Sequence, residues 1–218
     1  MPKTKTLVKI CGITSTDQAL QIADLGINAI GVISVDDSPR YVTPEKKKEI
    51  FNKLKVFYPN IERVSVVKNT PINSIIKNFL GEPNETIIQL HGDEDIDYCQ
   101  KLKQKIPNVG IWKAFRIKSK EDLEKIKVYE NFIDAILLDS WNNETYGGTG
   151  KRIDKIYLEN INFSKPWWLA GGVSKEWIYE ISRNIGPNGI DISSSVETSP
   201  GIKDIYKISL MLKEVNKY

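Results

Sequence analysis

Histidine and cysteine are nearly missing from this chain. Among 218 residues there is one histidine, His91, and two cysteines, Cys11 and Cys99. A structural zinc site takes four Cys or His ligands, so that class is excluded and no metal is expected. Two cysteines do not make a disulfide framework, and the expected setting is reducing and cytoplasmic. Charge of one sign is also scarce. Lys and Arg number 31 against 28 Asp and Glu, a net charge of +3. That is too mild for a nucleic-acid module, which would carry a basic stripe or interleaved aromatics. The longest basic run, Lys46-Lys47-Lys48, follows the helix-start signal Thr43-Pro44-Glu45 and reads as a solvated helix face. No stretch approaches the ~20 apolar residues of a membrane span, so no membrane partner is expected. The opening Met1-Pro2-Lys3-Thr4-Lys5-Thr6 lacks an apolar signal core, so the Asn84-Glu85-Thr86 sequon carries no glycosylation meaning.

What is present is an alternation. Hydrophobic residues make up 40% and charged residues 27%, an ordinary globular balance. Short apolar runs predict strands at Leu7–Cys11, Asn28–Ser34, Arg63–Val67, Thr86–Leu90, Gly110–Phe115, Asp134–Asp139, Trp167–Ala170 and Gly189–Ser193. Most are rich in Val and Ile and apolar on both faces, which suits buried parallel strands. Helix-length segments lie between them. Their openings read at Thr14-Ser15-Thr16-Asp17, Thr43-Pro44, Asn69-Thr70-Pro71, Asp93-Glu94, Ser119, Asp154, Ser174 and Asp204. Ile178, Ile181 and Ile185 keep helical spacing in the seventh. Strands alternating with helices mean parallel βαβ units, and eight units close into a barrel. The expectation is α/β: one (β/α)8 TIM-barrel domain over residues 1–218. A doubly wound open sheet is the rival. It lacks support because Gly12-Ile13-Thr14, not a glycine-rich dinucleotide turn, follows the first strand.

In such barrels the chemistry sits on the loops that follow strands. Cys11 ends strand one, where a thiolate can act as base or nucleophile; a buried core cysteine is the other reading. Asp139 ends the apolar run Ala135-Ile136-Leu137-Leu138. It reads either as a turn residue or as a carboxylic acid held against apolar walls for general acid work. Arg40, after Pro39, offers a fork for a carboxylate or phosphate, or is a solvated surface arginine. His91 is a titrating group or a packed ring. Gly171-Gly172 and Ser193-Ser194-Ser195 follow strands seven and eight, where barrels often hold a phosphate on backbone N–H groups. Tyr146-Gly147-Gly148-Thr149-Gly150-Lys151 fails as a P-loop, because Thr145 and Arg152 stand where glycine and Ser/Thr are required. A glycine-rich lid is the better reading. Cys99, mid-helix, reads as structural.

Taken in order along the chain, these strand ends resemble the phosphoribosylanthranilate isomerase family of tryptophan biosynthesis. The resemblance rests on Lys9-Ile10-Cys11-Gly12-Ile13-Thr14, Ser38-Pro39-Arg40-Tyr41-Val42, Gln89-Leu90-His91-Gly92-Asp93-Glu94, Leu137-Leu138-Asp139, Gly147 to Lys151, Leu169-Ala170-Gly171-Gly172, and Asp191-Ile192-Ser193-Ser194 with Val196-Glu197 and Pro200-Gly201. It implies an Amadori rearrangement of N-(5-phosphoribosyl)anthranilate without cofactor; monomer and homodimer both stay open. Asp139 would be the general acid on the ribose ring oxygen, and Cys11 the general base on C2 of the resulting imine. Arg40 would clamp the anthranilate carboxylate, Asp191 would support the polar site, and His91 would border the pocket. The backbones at Gly171, Gly172 and Ser193 to Ser195 would hold the phosphate. Two positions depart from the pattern. Ser195 stands where the family carries glycine, which puts phosphate geometry in doubt. Gly31-Val32-Ile33-Ser34 lacks an aromatic after its glycine, which would loosen packing around the anthranilate ring.

Two rivals remain. A histidine-pathway-like isomerase would want an aspartate where Cys11 stands. A non-catalytic phosphosugar sensor would not need Cys11 and Asp139 together.

Overall fold

The structure, a computed structural model, describes residues 5–78, 84–140 and 152–218. The glycine-rich segment expected to form a lid, Tyr146 to Lys151, lies outside the described residues. Eight parallel strands close into a barrel in sequence order, with β1 pairing β8. They are β1 (Leu7–Cys11), β2 (Ala29–Ile33), β3 (Glu62–Val67), β4 (Ile87–Leu90), β5 (Gly110–Ile117), β6 (Ala135–Ser140), β7 (Trp167–Leu169) and β8 (Gly189–Ile192). Every predicted strand is present, with ends shifted by a residue or two.

Period-2 alternation sorts each strand into two faces. Val8, Ile10, Ile30, Val32, Ile88, Leu90, Ile136, Leu138, Ile190 and Ile192 point outward and pack beneath the helices in one large cluster. Ala29, Val64, Val66, Ile87, Trp112, Ala114, Ala135, Leu137, Trp168 and Ala170 point inward and fill the barrel. Trp112 and Trp168 stack there with ring centroids 4.7 Å apart. Both faces are buried, which is why the strands read as continuous apolar runs.

The helices are α1 (Thr16–Ala23), α2 (Pro44–Phe57), α3 (Ile72–Asn78), α4 (Ile96–Lys105), α5 (Lys120–Glu124), α6 (Lys155–Leu158), α7 (Ile178–Glu180) and α8 (Ile205–Val215). Ser15 accepts from the Gln18 N–H at the start of α1, and Asp204 from the Lys207 N–H at the start of α8. Such caps satisfy amides that have no partner within the helix. Ile22 of α1 and Ile50 of α2 are fully buried against the sheet; each such side chain contributes about 1.5–3 kcal/mol.

Three expectations need correction, and one element is new. The fourth helix starts after Asp95, which accepts from the Tyr98 N–H, and not at Asp93-Glu94. Glu94 is buried instead, accepting from the backbones of Asn69 and Gly92 and pairing with Lys113 at 3.2 Å. The seventh helical segment is not one α-helix. A 3₁₀ turn (Lys175–Trp177) runs into α7 and then a π turn (Ile181–Ile185), ended by Gly186 in the left-handed region. Lys47 is not part of a solvated face. It is buried, with its Nζ 2.9 Å from Glu85 and 3.1 Å from the Ser65 hydroxyl. Finally, a short antiparallel hairpin, β9 (Glu197–Ser199) with β10 (Ile202–Lys203), follows β8 and was not foreseen.

Candidate active site

A cavity of about 940 Å³ opens at the carboxyl ends of the strands. It is lined by every site residue read from the sequence: Cys11, Arg40, His91, Asp139, Gly171, Gly172, Asp191, Ser193, Ser194 and Ser195. Gln89 and Arg152 join them.

Inward-facing strand positions supply several of the polar groups that line the cavity. Asp139 is 4% exposed. Its Oδ2 lies 3.2 Å from His91 Nε2, and its Oδ1 accepts from the Ser140 N–H at 2.8 Å. The Gln89 side-chain amide stands 2.9 Å from the other ring nitrogen, Nδ1. His91 is therefore hydrogen-bonded on both nitrogens and bridges Gln89 to Asp139. Gly171 makes this arrangement possible. Its φ is +77°, and a Cβ there would fall 2.5 Å from Ser140 Oγ and 2.8 Å from Asp139 Oδ1.

Across the cavity, Cys11 is a free, buried thiol. Burial pushes it up, while Lys9 and Lys203 act against that. Lys9, two residues earlier and on the same face, is completely buried; its Nζ donates to Asp191 Oδ2 at 2.7 Å. Asp191 Oδ1 is buried and has no partner among the described residues.

Arg40 is neither a solvated arginine nor an open fork. Its Nε and Nη2 donate to Glu197 Oε1 and Oε2 at 2.9 and 2.7 Å. Lys203, fully buried, donates to the same carboxylate at 2.6 Å. Burial pushes the Glu197 carboxyl up, but hydrogen bonds from Arg40 and Lys203 outweigh it and hold the group below its ordinary range. The unforeseen hairpin thus anchors Arg40 against the cavity wall.

The loops after β7 and β8, expected to hold a phosphate, carry further contacts. Ser193 Oγ donates to the Cys11 carbonyl at 3.0 Å, and Ser195 Oγ to the Val173 carbonyl at 2.7 Å. Ser195 has an ordinary negative φ, so the backbone conformation itself does not call for glycine there. Its hydroxyl ties the β7 and β8 loops together. Arg152 donates to the Gly172 carbonyl and, at 2.9 Å, to Ser174 Oγ, and stacks over Trp177. That places a cation beside both glycines. The second departure, at Val32, does not reach the cavity: Val32 faces outward, and Ile33 lines the pocket.

Sequence reasoning missed Lys9, Gln89, Arg152, Glu197 and Lys203 as parts of this site. Lys9 and Gln89 carried a usable signal, since each stands two residues before a chosen residue on an inward strand face. The other thiol, Cys99, is fully buried in α4 and pushed up to about 12 by burial, which suits a structural residue.

Comparison with known proteins follows the same line. The family model described as "N-(5'phosphoribosyl)anthranilate (PRA) isomerase" matches residues 8–214. A curated relative from Gloeothece citriformis, named N-(5'-phosphoribosyl)anthranilate isomerase, is 39% identical over 97% of this chain and 94% of its own length. The crystal structure of phosphoribosyl anthranilate isomerase from Thermotoga maritima superposes with a TM-score of 0.85 at 29% identity, covering 98% of this chain and all of that one. Another solved isomerase, in complex with reduced 1-(o-carboxyphenylamino)-1-deoxyribulose 5-phosphate, gives a TM-score of 0.79 at 28% identity over 98% of this chain and 100% of its own.

Proposed function

The chain belongs to the phosphoribosylanthranilate isomerase family, and we propose that Asp139 and Cys11 carry the two proton transfers of its reaction. The enzyme isomerises N-(5'-phosphoribosyl)anthranilate in tryptophan biosynthesis. An aldose-to-ketose shift of this kind needs an acid, a base and anchoring groups. The observation that carries the assignment is the shared cavity: a buried carboxyl bonded to His91 on one wall, and a thiol beside a buried ammonium on another.

Asp139 gives its proton to the ribose ring oxygen. The C1–O bond breaks as the anilino nitrogen lone pair forms the imine. Cys11, as thiolate, takes the proton from C2 and leaves an enolamine. Return of a proton to C1 and loss of one from the C2 hydroxyl complete the ketone. Protons balance, with no net oxidation. Each proton-transfer group contributes typically ~10²–10⁴-fold.

Anchoring falls to the rest of the cavity. Asp191 Oδ1 is a buried acceptor suited to a sugar hydroxyl, since leaving it unmatched is unfavourable. Gly171, Gly172 and the backbone of Ser193 to Ser195 receive the phosphate, and Arg152 adds a positive charge beside them. Arg40, held by Glu197, presents its remaining guanidinium edge to the anthranilate carboxylate. A base that must stay a free thiol suits a reducing, cytoplasmic setting.

The test is turnover of phosphoribosylanthranilate by two variants. Asp139→Asn and Cys11→Ala should each lower kcat by about 10²-fold or more with a much smaller change in KM. Near-full turnover by either removes that residue from the mechanism.

A further inference from the structure

This inference rests on the reading of Cys11 as the base and asks what lets a buried thiol ionise. Burial disfavours the charged form of any acid. Something in the wall must therefore favour the thiolate.

The charges that face Cys11 come from several elements. Lys9 is on β1, Arg40 on the loop after β2, Asp191 on β8 and Lys203 on β10. Glu197 of β9 stands behind Arg40 and Lys203. Three cations thus meet two carboxylates. With a neutral thiol the group holds one surplus positive charge, and with a thiolate it is balanced.

Lys9 is the cation best placed among the three. Arg40 and Lys203 both point at Glu197. Lys9 shares the inward face of β1 with Cys11, and both side chains converge on the space that Gly31 leaves empty. A Cβ on Gly31 would lie 2.7 Å from Cys11 Sγ and 3.1 Å from Lys9 Nζ. The ammonium has three donors, and one meets Asp191 Oδ2. Burial alone would push Lys9 towards the neutral amine, but Asp191 and Cys11 outweigh that and keep it charged.

We propose that Lys9 is a positioning residue that supplies the counter-charge for the Cys11 thiolate, with Asp191 competing for the same ammonium. The alternative is an ion pair that only joins β1 to β8.

The experiment follows the ionisation of Cys11 itself, in a Cys99→Ala background so that one thiol titrates. Thiolate ultraviolet absorbance and the rate of alkylation by iodoacetamide are measured against pH. Lys9→Met should move the Cys11 transition to higher pH by about one unit or more. Asp191→Asn should move it to lower pH, because the competing carboxylate is gone. A folded Lys9→Met protein with an unmoved transition overturns the proposal. If Lys9→Met does not fold, Asp191→Asn decides: a transition that stays or rises overturns it. Failure of the base assignment looks different, since Cys11→Ala would then keep its turnover whatever the thiol titration shows.

Discussion

Replacing Glu197 by glutamine should destabilise the protein far more than loss of a surface ion pair. The Glu197 side chain is 5% exposed and holds two cations, Arg40 and Lys203, whose side chains are 11% and 0% exposed. It also accepts from the Gly201 N–H at 3.2 Å. Glutamine keeps the shape and one oxygen, but turns an NH2 group towards a cation. Removing one partner of a buried pair costs about 3–5 kcal/mol, because the other charge stays buried. Two cations are stranded here, while the slight contact of Arg40 with water favours the lower end. A loss of about 3–5 kcal/mol is a large share of the roughly 5–15 kcal/mol that hold a domain together. In a chain of this size it lowers Tm by about 6–20 °C. Urea unfolding of both proteins, with the m-value checked for constancy, gives the difference directly. The pH dependence adds a sign. The folded-state carboxyl is held below its ordinary range by Arg40 and Lys203 against the effect of burial. Its contribution is therefore fully present above the unfolded value of about 4.3 and is lost as pH falls through the folded value. The gap between wild type and variant should close in that acid window. A loss below about 1 kcal/mol at neutral pH, the scale of an exposed pair, would refute the reasoning.

Two other substitutions probe the glycine and serine loops. Gly171→Ala places a Cβ 2.8 Å from Asp139 Oδ1 at a φ of +77°; kcat should fall about 10-fold or more through the displaced acid, and an unchanged kcat would show that Asp139 tolerates the shift. Ser195→Ala removes the hydroxyl bound to the Val173 carbonyl; stability should fall by about 0.5–1.5 kcal/mol in urea unfolding, with KM nearly unchanged, and a large KM rise would place that hydroxyl on the phosphate.

The barrel was legible because both strand faces are buried, so runs such as Ala29 to Ile33 and Ala135 to Leu138 are unbroken by polar residues. Cys11, Asp139, Gly171 and Ser193 were legible because strand ends in such a barrel mark its functional rim. Partners were harder. Lys9 sits inside an apolar strand, where a lysine reads as an interruption until its face is assigned. Glu197 and Lys203 belong to a hairpin of five strand residues, too short for a periodic signal, and their meaning lies in a contact with Arg40 from the other end of the chain. Lys47 misled for a related reason: three adjacent lysines cannot all share one face of a helix, and the middle one found Glu85.

The Lys9–Asp191 pair and the Arg40–Glu197 pair have a consequence for the order in which the molecule is made. They join residues 182 and 157 positions apart. A growing chain exposes Lys9, Cys11 and Arg40 first and meets their counter-charges only near the end of synthesis. Until β8 to β10 emerge, β1 and the loop after β2 carry cations that oppose burial and so discourage premature closure. With the proposed roles, catalytic competence then arrives together with ring closure, and a truncated chain ending before Asp191 would lack both.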